Sequence, residues 1–383
     1  MSETYDIIVL GVGAMGASTC FHIASSGARV LGLEQFDVPH NQGSSTGFSR
    51  MIRMAYYEHP DYVPLLRRAY ELWHELENQS GQKLLYQTGG LYLGAPDCEL
   101  ITGSLQAAKL HGLPYEMLDR RQLAERFKAF HVPQDWSAML EPAAGFLLSE
   151  KVISTFADLA MRRGAEIHGR EEVVRWKADQ NGVEVQTSRG RYSAKRLVIC
   201  GGAWSERLLA SLGLELQVTR QVMGWVWPNQ PDIFALNNFP VWAIGHPDGS
   251  LHYGFPMMGD VPGLKIAHHA PGMPTDPDRV ERRTLPGDEE SFRNALRRFL
   301  PQGDGPLLAI RTCLYTNSRD HHFIIDQHPE HPNVILACGF SGHGFKFASV
   351  IGEILGDLAM QRQSKLPFRF LSLDRLKTTQ IRH

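Results

Sequence analysis

The chain has 383 residues, of which 43% are hydrophobic and 21% are charged, the composition of an ordinary globular protein. A formal net charge of -2 gives no reason to expect a nucleic acid or an anionic membrane as a partner, and no apolar run reaches the ~20 residues of a membrane-spanning helix. This length exceeds what one hydrophobic core supports, so we expect two domains.

The N-terminal residues and the cysteines narrow the class further. The chain enters a predicted strand without a secretory leader, so we expect a cytoplasmic protein. The cysteines are odd in number and irregularly spaced, which is typical neither of a disulfide framework nor of a zinc site, and we expect no bound metal. They are Cys20, Cys98, Cys200, Cys313 and Cys338.

The first predicted elements form a strand–helix–strand unit. Residues 7–10 are an apolar run typical of a strand buried on both faces, and residues 17–26 predict a helix. Residues 29–33 predict a second buried strand, which ends on Glu34. Between the first strand and the helix, three glycines have the spacing G-x-G-x-x-G: Gly11, Gly13 and Gly16. This order of elements predicts a dinucleotide-binding site.

Each part of this unit suits a dinucleotide. Gly11 allows the tight turn, Gly13 lets the backbone approach a pyrophosphate, and Gly16 lets helix and strand pack closely. The helix N-terminus offers N–H groups to the phosphates. Glu34 is placed to accept hydrogen bonds from a ribose and would repel the 2′-phosphate of NADP, so FAD and NAD both remain open.

A polar loop follows Glu34 at the carboxyl edge of the predicted sheet, where doubly wound folds bind ligands. At its end, Arg50 and Arg53 would share a face if that stretch is helical. They are then either two solvated arginines or a pair of cations that face the cofactor or an anionic substrate.

The central part of the chain alternates between helices and short strands. Helices are predicted at residues 61–78, 101–111, 119–127 and 151–163. Short strands are predicted at residues 165–168, 172–177, 183–187 and 190–193. A hairpin is predicted at residues 84–93, and a second hairpin turns at Asn181–Gly182. Strand–glycine–helix junctions at residues 197–203 and 333–347 repeat the first one, and the earlier of them can return the chain to the same dinucleotide.

Residues 217–305 show a different pattern. Alternating, aromatic, strand-like segments are separated by Pro and Gly, which is typical of an antiparallel sheet and not of a βαβ repeat. We expect the substrate domain here, with one helix at residues 289–299. Three tryptophans in this stretch either line a wide aromatic pocket or belong to the core of the sheet: Trp225, Trp227 and Trp242.

Seven motifs, spread nearly from end to end, carry a family resemblance: GVGAMG with Glu34, SRMIRMAYYE, YGFP, GLKIAHH, CLYT, HFIID and GFSGHGFKFAS. With them the chain resembles the monomeric sarcosine oxidase and N-methyltryptophan oxidase family of flavoenzymes. The resemblance implies an α/β fold (α+β overall), with a glutathione-reductase-like FAD-binding domain and a second, antiparallel-sheet substrate domain. We assign residues 1–83, 145–216 and 306–383 to the FAD-binding domain, and residues 84–144 and 217–305 to the substrate domain.

The resemblance also implies an activity. Members of this family oxidise N-substituted amino acids, reduce O2 to hydrogen peroxide, and hold FAD covalently through a cysteine on the flavin 8α-methyl. We therefore expect a monomeric FAD-dependent oxidase of secondary amino acids such as sarcosine or N-methyltryptophan. Fructosyl-amino acids and pipecolate are alternative substrates. A flavin dehydrogenase that reduces a quinone or a partner protein, a nicotinamide dehydrogenase, and a non-catalytic flavin-binding subunit are alternative functions.

Roles carry over by motif. Cys313 matches the flavin-linked cysteine, although a buried core thiol is the plainer interpretation of that residue alone. Lys265 matches the lysine near flavin N5 where oxygen reacts, and Arg53 and Lys346 match residues that hold the substrate carboxylate. The other implied catalytic residues lie beside the flavin or line the pocket: Arg50, Tyr253, His269 and Tyr315. The implied FAD contacts, besides Arg50, Cys313 and Lys346, are Gly11, Gly13, Ala14, Met15, Gly16, Glu34, Ser49, Val173, Phe340, Gly342 and Gly344.

Two details qualify this assignment. His268 and His269 are adjacent on a predicted strand, so only one of them faces the pocket. The chain departs from the family pattern in residues 43–50, where the familiar oxidases have histidines and an acidic residue. Here Ser45, Thr46 and Phe48 stand in similar places, so the identity of the substrate stays open.

Overall fold

The computed structural model describes residues 3–259 and 261–377, which form nine α-helices and twenty β-strands. The helices are α1 (Ala14–Ser25), α2 (Val63–Ser80), α3 (Glu99–His111), α4 (Arg120–Arg126), α5 (Ser149–Arg162), α6 (Ser205–Leu208), α7 (Glu290–Phe299), α8 (Ala348–Ala359) and α9 (Asp374–Lys377). The strands are β1 (Glu3–Leu10), β2 (Val30–Leu33), β3 (Ser49–Ile52), β4 (Leu85–Tyr86), β5 (Gly90–Gly94), β6 (Glu116–Leu118), β7 (Ser137–Glu141), β8 (Gly145–Leu148), β9 (Glu166–His168), β10 (Val173–Asp179), β11 (Gly182–Thr187), β12 (Arg191–Ile199), β13 (Gln217–Val226), β14 (Val241–Gly245), β15 (Leu251–Phe255), β16 (Leu264–His269), β17 (Met273–Pro274), β18 (Leu307–Asn317), β19 (Ile324–Gln327) and β20 (Val334–Cys338). Within these ranges no helix combines the length and the apolar character that crossing a membrane requires.

β1 lies at the centre of a largely parallel sheet. β2 and β12 pair with it in parallel, and β9 and β20 extend the sheet by pairing in parallel with β2 and β12. Ile7 and Val9 pack into one apolar core together with α1 and α8, whereas Ile8 and Leu10 pack into a second core. Since successive side chains of a strand point to opposite faces, this strand is covered on both faces, which explains its continuous apolar run.

The antiparallel edge of this sheet agrees with one prediction and changes another. β10 and β11 turn between Asp179 and Gly182, so the hairpin predicted at Asn181–Gly182 is confirmed. The strands predicted at residues 190–193 and 197–200 are instead one strand, β12, because β1 pairs along its length. The predicted helices are confirmed as α2, α3, α4, α5 and α7, with ends that differ by a few residues.

The second sheet is mostly antiparallel. β13 and β18 pair along their length, and β16, β15 and β14 follow on the other side of β13. β5 joins β14 in parallel, and β7 and β6 complete the sheet. The two sheets confirm the predicted fold class. The domain boundaries stay a prediction; β18 belongs to the second sheet, although its residues fall within the 306–383 segment that we assign to the FAD-binding domain.

One local prediction is wrong, and one condition that the sequence analysis left open is not met. Residues 84–93 form no hairpin, because β4 pairs with β8 whereas β5 pairs with β7 and β14. Alternating side chains mark a stretch as strand-like but do not identify its partner strand. The stretch that carries Arg50 is not helical but forms β3, which pairs with β8, so Arg50 and Arg53 do not share a helical face.

The crossing of α1 and α8 brings two backbones unusually close. A Cβ atom added at Gly352 of α8 would lie 2.6 Å from the Cβ atom of Ser18 and 2.7 Å from its carbonyl carbon. One turn further along α8, a Cβ atom added at Gly356 would lie 3.2 Å from the Cβ atom of His22. Gly352 therefore limits how closely the two helices pack, whereas Gly356 leaves more room for a side chain.

We expect Gly352→Ala to lower the free energy of unfolding by about 1–3 kcal/mol, because overpacking forces the two helices apart. Gly356→Ala is the matched control in the same helix, where the helix propensity gained, about 1 kcal/mol, offsets a milder contact. Denaturant unfolding of both variants measures the difference. Equal destabilisation by the two substitutions would contradict the packing argument.

Candidate active site

A long cavity extends from the β1–α1 turn to one face of the second sheet. One end is formed by the glycine-rich turn and the end of β2, and the other end by side chains of β15, β16 and β18 together with residues 339–346. Most residues that the sequence analysis selects line it: Gly11, Gly13, Ala14, Met15, Glu34, Arg50, Arg53, Val173, Tyr253, His269, Cys313, Tyr315, Phe340, Gly342, Gly344 and Lys346. Three selected residues lie outside the lining: Gly16, Ser49 and Lys265.

The glycine-rich turn is built as a cradle without side chains. Gly11 has a φ of 83°, in the left-handed region that favours glycine, and it abuts the carbonyl of Cys200. Gly16 lies against the carbonyl of Gly11, where a Cβ atom would clash, so its role is close packing and not lining. Beside Gly13 the space within 4 Å is open, and Gly13, the N-cap of α1, makes no side-chain capping hydrogen bond. This cradle fits a pyrophosphate that receives N–H groups from the helix.

Glu34 is held in position by the backbone. Its Oε2 accepts a hydrogen bond from Val12 N at 2.9 Å, and its Oε1 accepts one from Phe36 N at 3.1 Å. His40 Nε2 lies 3.7 Å from Oε1. The carboxylate therefore lines the cavity in a fixed orientation, which suits the recognition of ribose hydroxyls.

Cys313 lies on β18 opposite Gln221 of β13 and is only 3% exposed. Its thiol lines the cavity. Burial raises the pKa of this thiol, and the charges of Arg50 and Lys265 act in the opposite direction. Cys313 is therefore a buried thiol with a raised pKa that lines the cavity near two cationic side chains.

Lys265 lies on β16 behind the cavity wall. Its Nζ donates to Gly47 O at 2.8 Å, to Ser49 O at 2.7 Å and to Ser49 Oγ at 3.2 Å. Burial, followed by the charge of Arg50, lowers the pKa of this lysine well below its usual value. Three acceptors nevertheless match the three N–H bonds of an ammonium group.

Arg50 organises the loop that departs from the family pattern. Its Nη2 donates to Ser44 O at 2.7 Å and to Thr46 O at 2.5 Å, and its Nη1 donates to Ser49 O at 2.8 Å. On the other side, Glu150 accepts hydrogen bonds from the backbone N–H groups of residues 47 and 48. The sequence analysis did not select Glu150, since its role depends on a loop about 100 residues earlier in the chain.

A buried cluster of charges holds the opposite end of the cavity. Arg53 Nη2 donates to both carboxylate oxygens of Glu58 at 2.6 Å. Burial would raise the pKa of Glu58, but the charge of the hydrogen-bonded Arg53, helped by that of Lys346, outweighs it and lowers that pKa to about 2. Glu58 therefore neutralises Arg53. The sequence analysis missed this carboxylate, although its position five residues after Arg53 was a usable signal.

Lys346 carries the remaining positive charge of this cluster. Its Nζ donates to His343 O at 2.7 Å. Burial, followed by the charge of Arg53, lowers the pKa of Lys346 to about 7. Burial lowers the pKa of His343 to about 3, so its ring is neutral; Nε2 donates to His321 O at 2.9 Å and Nδ1 is hydrogen bonded to the Tyr56 hydroxyl. Lys346 thus changes charge near neutral pH while its neighbours keep theirs.

The face of the second sheet adds a neutral histidine. Burial lowers the pKa of His269 to about 4, and its Nδ1 lies 3.1 Å from the Tyr315 hydroxyl. Its Nε2 makes no hydrogen bond within the part of the chain that the structure describes. His268 points away, where it contacts Ser250 Oγ at 3.0 Å and stacks on His252. The prediction that only one of the two histidines faces the pocket is confirmed.

The tryptophans belong to the protein core or to the surface and not to the cavity. Trp225 and Trp242 are at most 2% exposed, whereas Trp227 is 45% exposed. None of the three lines the cavity, so the interpretation as a wide aromatic pocket is wrong. The interpretation as core residues holds for Trp225 and Trp242. Among the described residues, no three His, Cys, Asp or Glu side chains are arranged to hold a metal ion.

Comparisons with known proteins agree with this geometry. Residues 6–358 match the model of a family described as FAD dependent oxidoreductase. The monomeric sarcosine oxidase of Streptomyces avermitilis is 41% identical over 98% of this chain and 99% of its own length. The N-methyl-L-tryptophan oxidase of Yersinia pestis is 34% identical over 97% of this chain and all of its own length. The structure of NikD, an unusual amino acid oxidase essential for nikkomycin biosynthesis, matches with a TM-score of 0.85 and 25% identity, covering 97% of this chain and 98% of that chain.

We expect Glu58→Gln to lower the free energy of unfolding at neutral pH by about 3–5 kcal/mol, because it leaves the buried charge of Arg53 without a partner. The folded-state pKa of Glu58, about 2, lies below its ordinary value of 4.5. Its contribution is therefore present above pH 4.5 and is lost as the pH falls toward 2, so the gap between variant and wild type narrows on acidification.

Denaturant unfolding at several pH values measures this gap. Glu116→Gln, which removes the exposed partner of Arg126, is the control and is expected to cost less than about 1 kcal/mol. If the difference in unfolding free energy between Glu58→Gln and wild type grew toward low pH, the assignment of Glu58 as the ionised partner of Arg53 would be contradicted.

Proposed function

Because this chain belongs to the FAD-dependent oxidoreductase family, which confirms the resemblance seen in its sequence, we propose that it is an oxidase of N-substituted amino acids. It converts the C–N bond of the substrate to an imine and reduces O2 to hydrogen peroxide. The names of the sarcosine oxidase and the N-methyl-L-tryptophan oxidase that it matches end to end support this reaction. The observation that carries the proposal is a single cavity that joins a dinucleotide cradle to a buried cluster of cations.

The residues that would hold FAD are divided between the two ends of the cavity. At one end, the glycine-rich turn suits the pyrophosphate of FAD, and Glu34 and Val173 suit its ribose and adenine. At the other end, residues 339–346 suit the rest of the FAD molecule. When bound, FAD supplies the two-electron acceptor and passes the electrons on to O2. The protein residues bind and orient the substrate, exclude water and place charge.

We assign the substrate carboxylate first to Lys346. Arg53 is already bonded to Glu58, so the ammonium group of Lys346 is the uncompensated positive charge at this end of the cavity. Arg53 then supports the same anion at longer range. In the tautomer whose Nδ1–H donates to the Tyr315 hydroxyl, the neutral His269 presents Nε2 as an acceptor that orients the substrate amine without holding its proton.

We also propose that Cys313 carries FAD as a thioether on the 8α-carbon. This bond would replace the S–H of Cys313 and one C–H of the methyl group, and O2 would accept the two electrons and two protons as hydrogen peroxide. Its place in the cavity lining supports this assignment, and the nearby cations offset part of the rise that burial imposes on the pKa of the thiol.

The test of the function is a peroxide-release assay with the purified holoenzyme over N-substituted and primary amino acids. Turnover of secondary amino acids with one peroxide per substrate is expected. Flavin reduction by substrate without peroxide, restored by a quinone acceptor, would replace the oxidase by a dehydrogenase. A colourless protein, or one that no amino acid reduces, would contradict the proposal.

We expect Cys313→Ser to release its flavin on acid denaturation, whereas the wild-type polypeptide stays yellow. The control is Cys98→Ser, which changes a half-buried thiol that does not line the cavity. This variant should keep the flavin attached. Release of flavin from the wild type would show that the thioether is absent.

We expect carboxylate binding to weaken above pH 7, because Lys346 must be protonated to bind an anion. Calorimetric titration of the holoenzyme with propionate, which has no titrating amine, measures this effect. Affinity should fall by up to tenfold per pH unit above about pH 7. In Lys346→Arg the affinity should stay constant up to about pH 9, since guanidinium keeps its proton, and a wild type with constant affinity would contradict the assignment.

Lys265 is the candidate for supporting the reaction with O2. A cation about 4 Å from a developing anion stabilises it by up to ~4 kcal/mol at an effective dielectric near 20, roughly a thousandfold in rate. We expect Lys265→Met to slow reoxidation of the reduced enzyme by O2 by up to that factor, and anaerobic reduction by substrate much less. Stopped-flow measurement of both half-reactions is the test, with Ser49→Ala, which removes one acceptor and keeps the charge, as control. Equal losses in both half-reactions would refute the role.

A further inference from the structure

Beside the charged cluster, the cavity wall is apolar. Tyr57, Leu100, Ala243 and Leu251 all line the cavity, and we call these four residues the apolar subpocket. The two leucines and the alanine are at most 8% exposed and belong to one apolar core. Since a carboxylate and an amine need polar contacts only, a wall of this kind indicates that the ligand carries a hydrocarbon part as well.

The register of the second sheet places this wall beside the amine pocket. Ala243 of β14 lies directly opposite Tyr253 of β15, and Leu251 of β15 lies opposite His269 of β16. Residues opposite each other, and residues two apart on one strand, share a face of the sheet. The apolar and polar parts of the pocket are therefore neighbours on one rigid surface.

The other side of the subpocket is fixed by helix α3 and by the charged cluster. A Cβ atom added at Gly245 would lie 3.2 Å from the Cβ atom of Leu100, so the first turn of α3 packs closely against β14. The guanidinium carbon of Arg53 lies 4.4 Å from the ring centroid of Tyr57. Because Leu100 and Arg53 are buried, this side of the wall is preformed, and the space beside Ala243 is set by that small side chain.

We propose that the substrate is a secondary amino acid with a branched aliphatic side chain, and that Ala243 sets the size limit of the hydrocarbon part. This inference rests on the proposed function and deepens it. Leucine and alanine side chains offer only dispersion contacts and no hydrogen bonds, which matches an aliphatic group. Each methylene that the subpocket buries raises kcat/KM by roughly fourfold, so N-methylleucine, which adds an isobutyl side chain to the N-methyl group that it shares with sarcosine, should be the better substrate.

The first experiment compares kcat/KM for sarcosine, N-methylleucine and N-methyltryptophan by peroxide release from the holoenzyme. N-methylleucine should exceed sarcosine by at least about tenfold. A preference for sarcosine or for N-methyltryptophan would overturn the inference and leave the proposed function standing. If none of the three releases peroxide or reduces the flavin anaerobically, the proposed function itself fails.

The second experiment changes the volume of the subpocket and reads the ratio of kcat/KM for N-methylleucine to that for sarcosine. Ala243→Leu should lower this ratio by at least about tenfold, and Ala243→Ser, which adds little volume, should change it less than about threefold. Flavin content and melting temperature check that each variant folds. If Ala243→Leu does not fold, Leu100→Ala serves instead and should raise kcat/KM for N-methyltryptophan relative to N-methylleucine. An unchanged ratio in folded Ala243→Leu would show that Ala243 does not set the size limit of the hydrocarbon part.

Discussion

The buried ammonium group of Lys265 joins the two halves of the molecule. It leaves β16 of the second sheet and donates to Gly47 and Ser49, which belong to the segment that enters from the first sheet. An ammonium group removed from water is very costly unless all its N–H bonds are satisfied, so these acceptors cannot move independently of the lysine. Arg50 and Arg53 follow Ser49 in the chain, and their positions relative to His269 and Tyr315 depend on this junction.

The same junction explains why the loop at residues 43–50 can depart from the family pattern. Arg50, Lys265 and Glu150 bind mainly backbone groups of the loop, and backbone groups are the same whichever side chains stand there. Phe48, which has a φ of 67°, is covered by the guanidinium of Arg311 at 4.2 Å. The loop therefore keeps its course whichever side chains stand at these positions.

The charges in the cavity are arranged so that Lys346 can still gain or lose a proton near neutral pH. Glu58 neutralises Arg53, His343 and His269 are neutral, and Lys346 has a pKa near 7. An incoming carboxylate stabilises the protonated form of this lysine, so binding of an anion and uptake of a proton are coupled. The apolar wall next to this cluster adds contacts that depend on the shape of the substrate and not on its charge.

The sequence by itself determined the strand–glycine–helix unit, the acidic residue after the second strand and the opposite orientation of His268 and His269. Those features follow from local rules of backbone geometry, which act over a few residues. Most of the residues that the family motifs further indicated line the cavity. Only the tertiary structure decided that Glu58 pairs with Arg53, that Lys265 lies behind the wall and that Trp225 and Trp242 are core residues. It also decided that the two strands within residues 84–93 pair with three other strands and not with each other. Partner choice and burial depend on residues far apart in the chain, and the pKa values depend on burial, so no local pattern contains them.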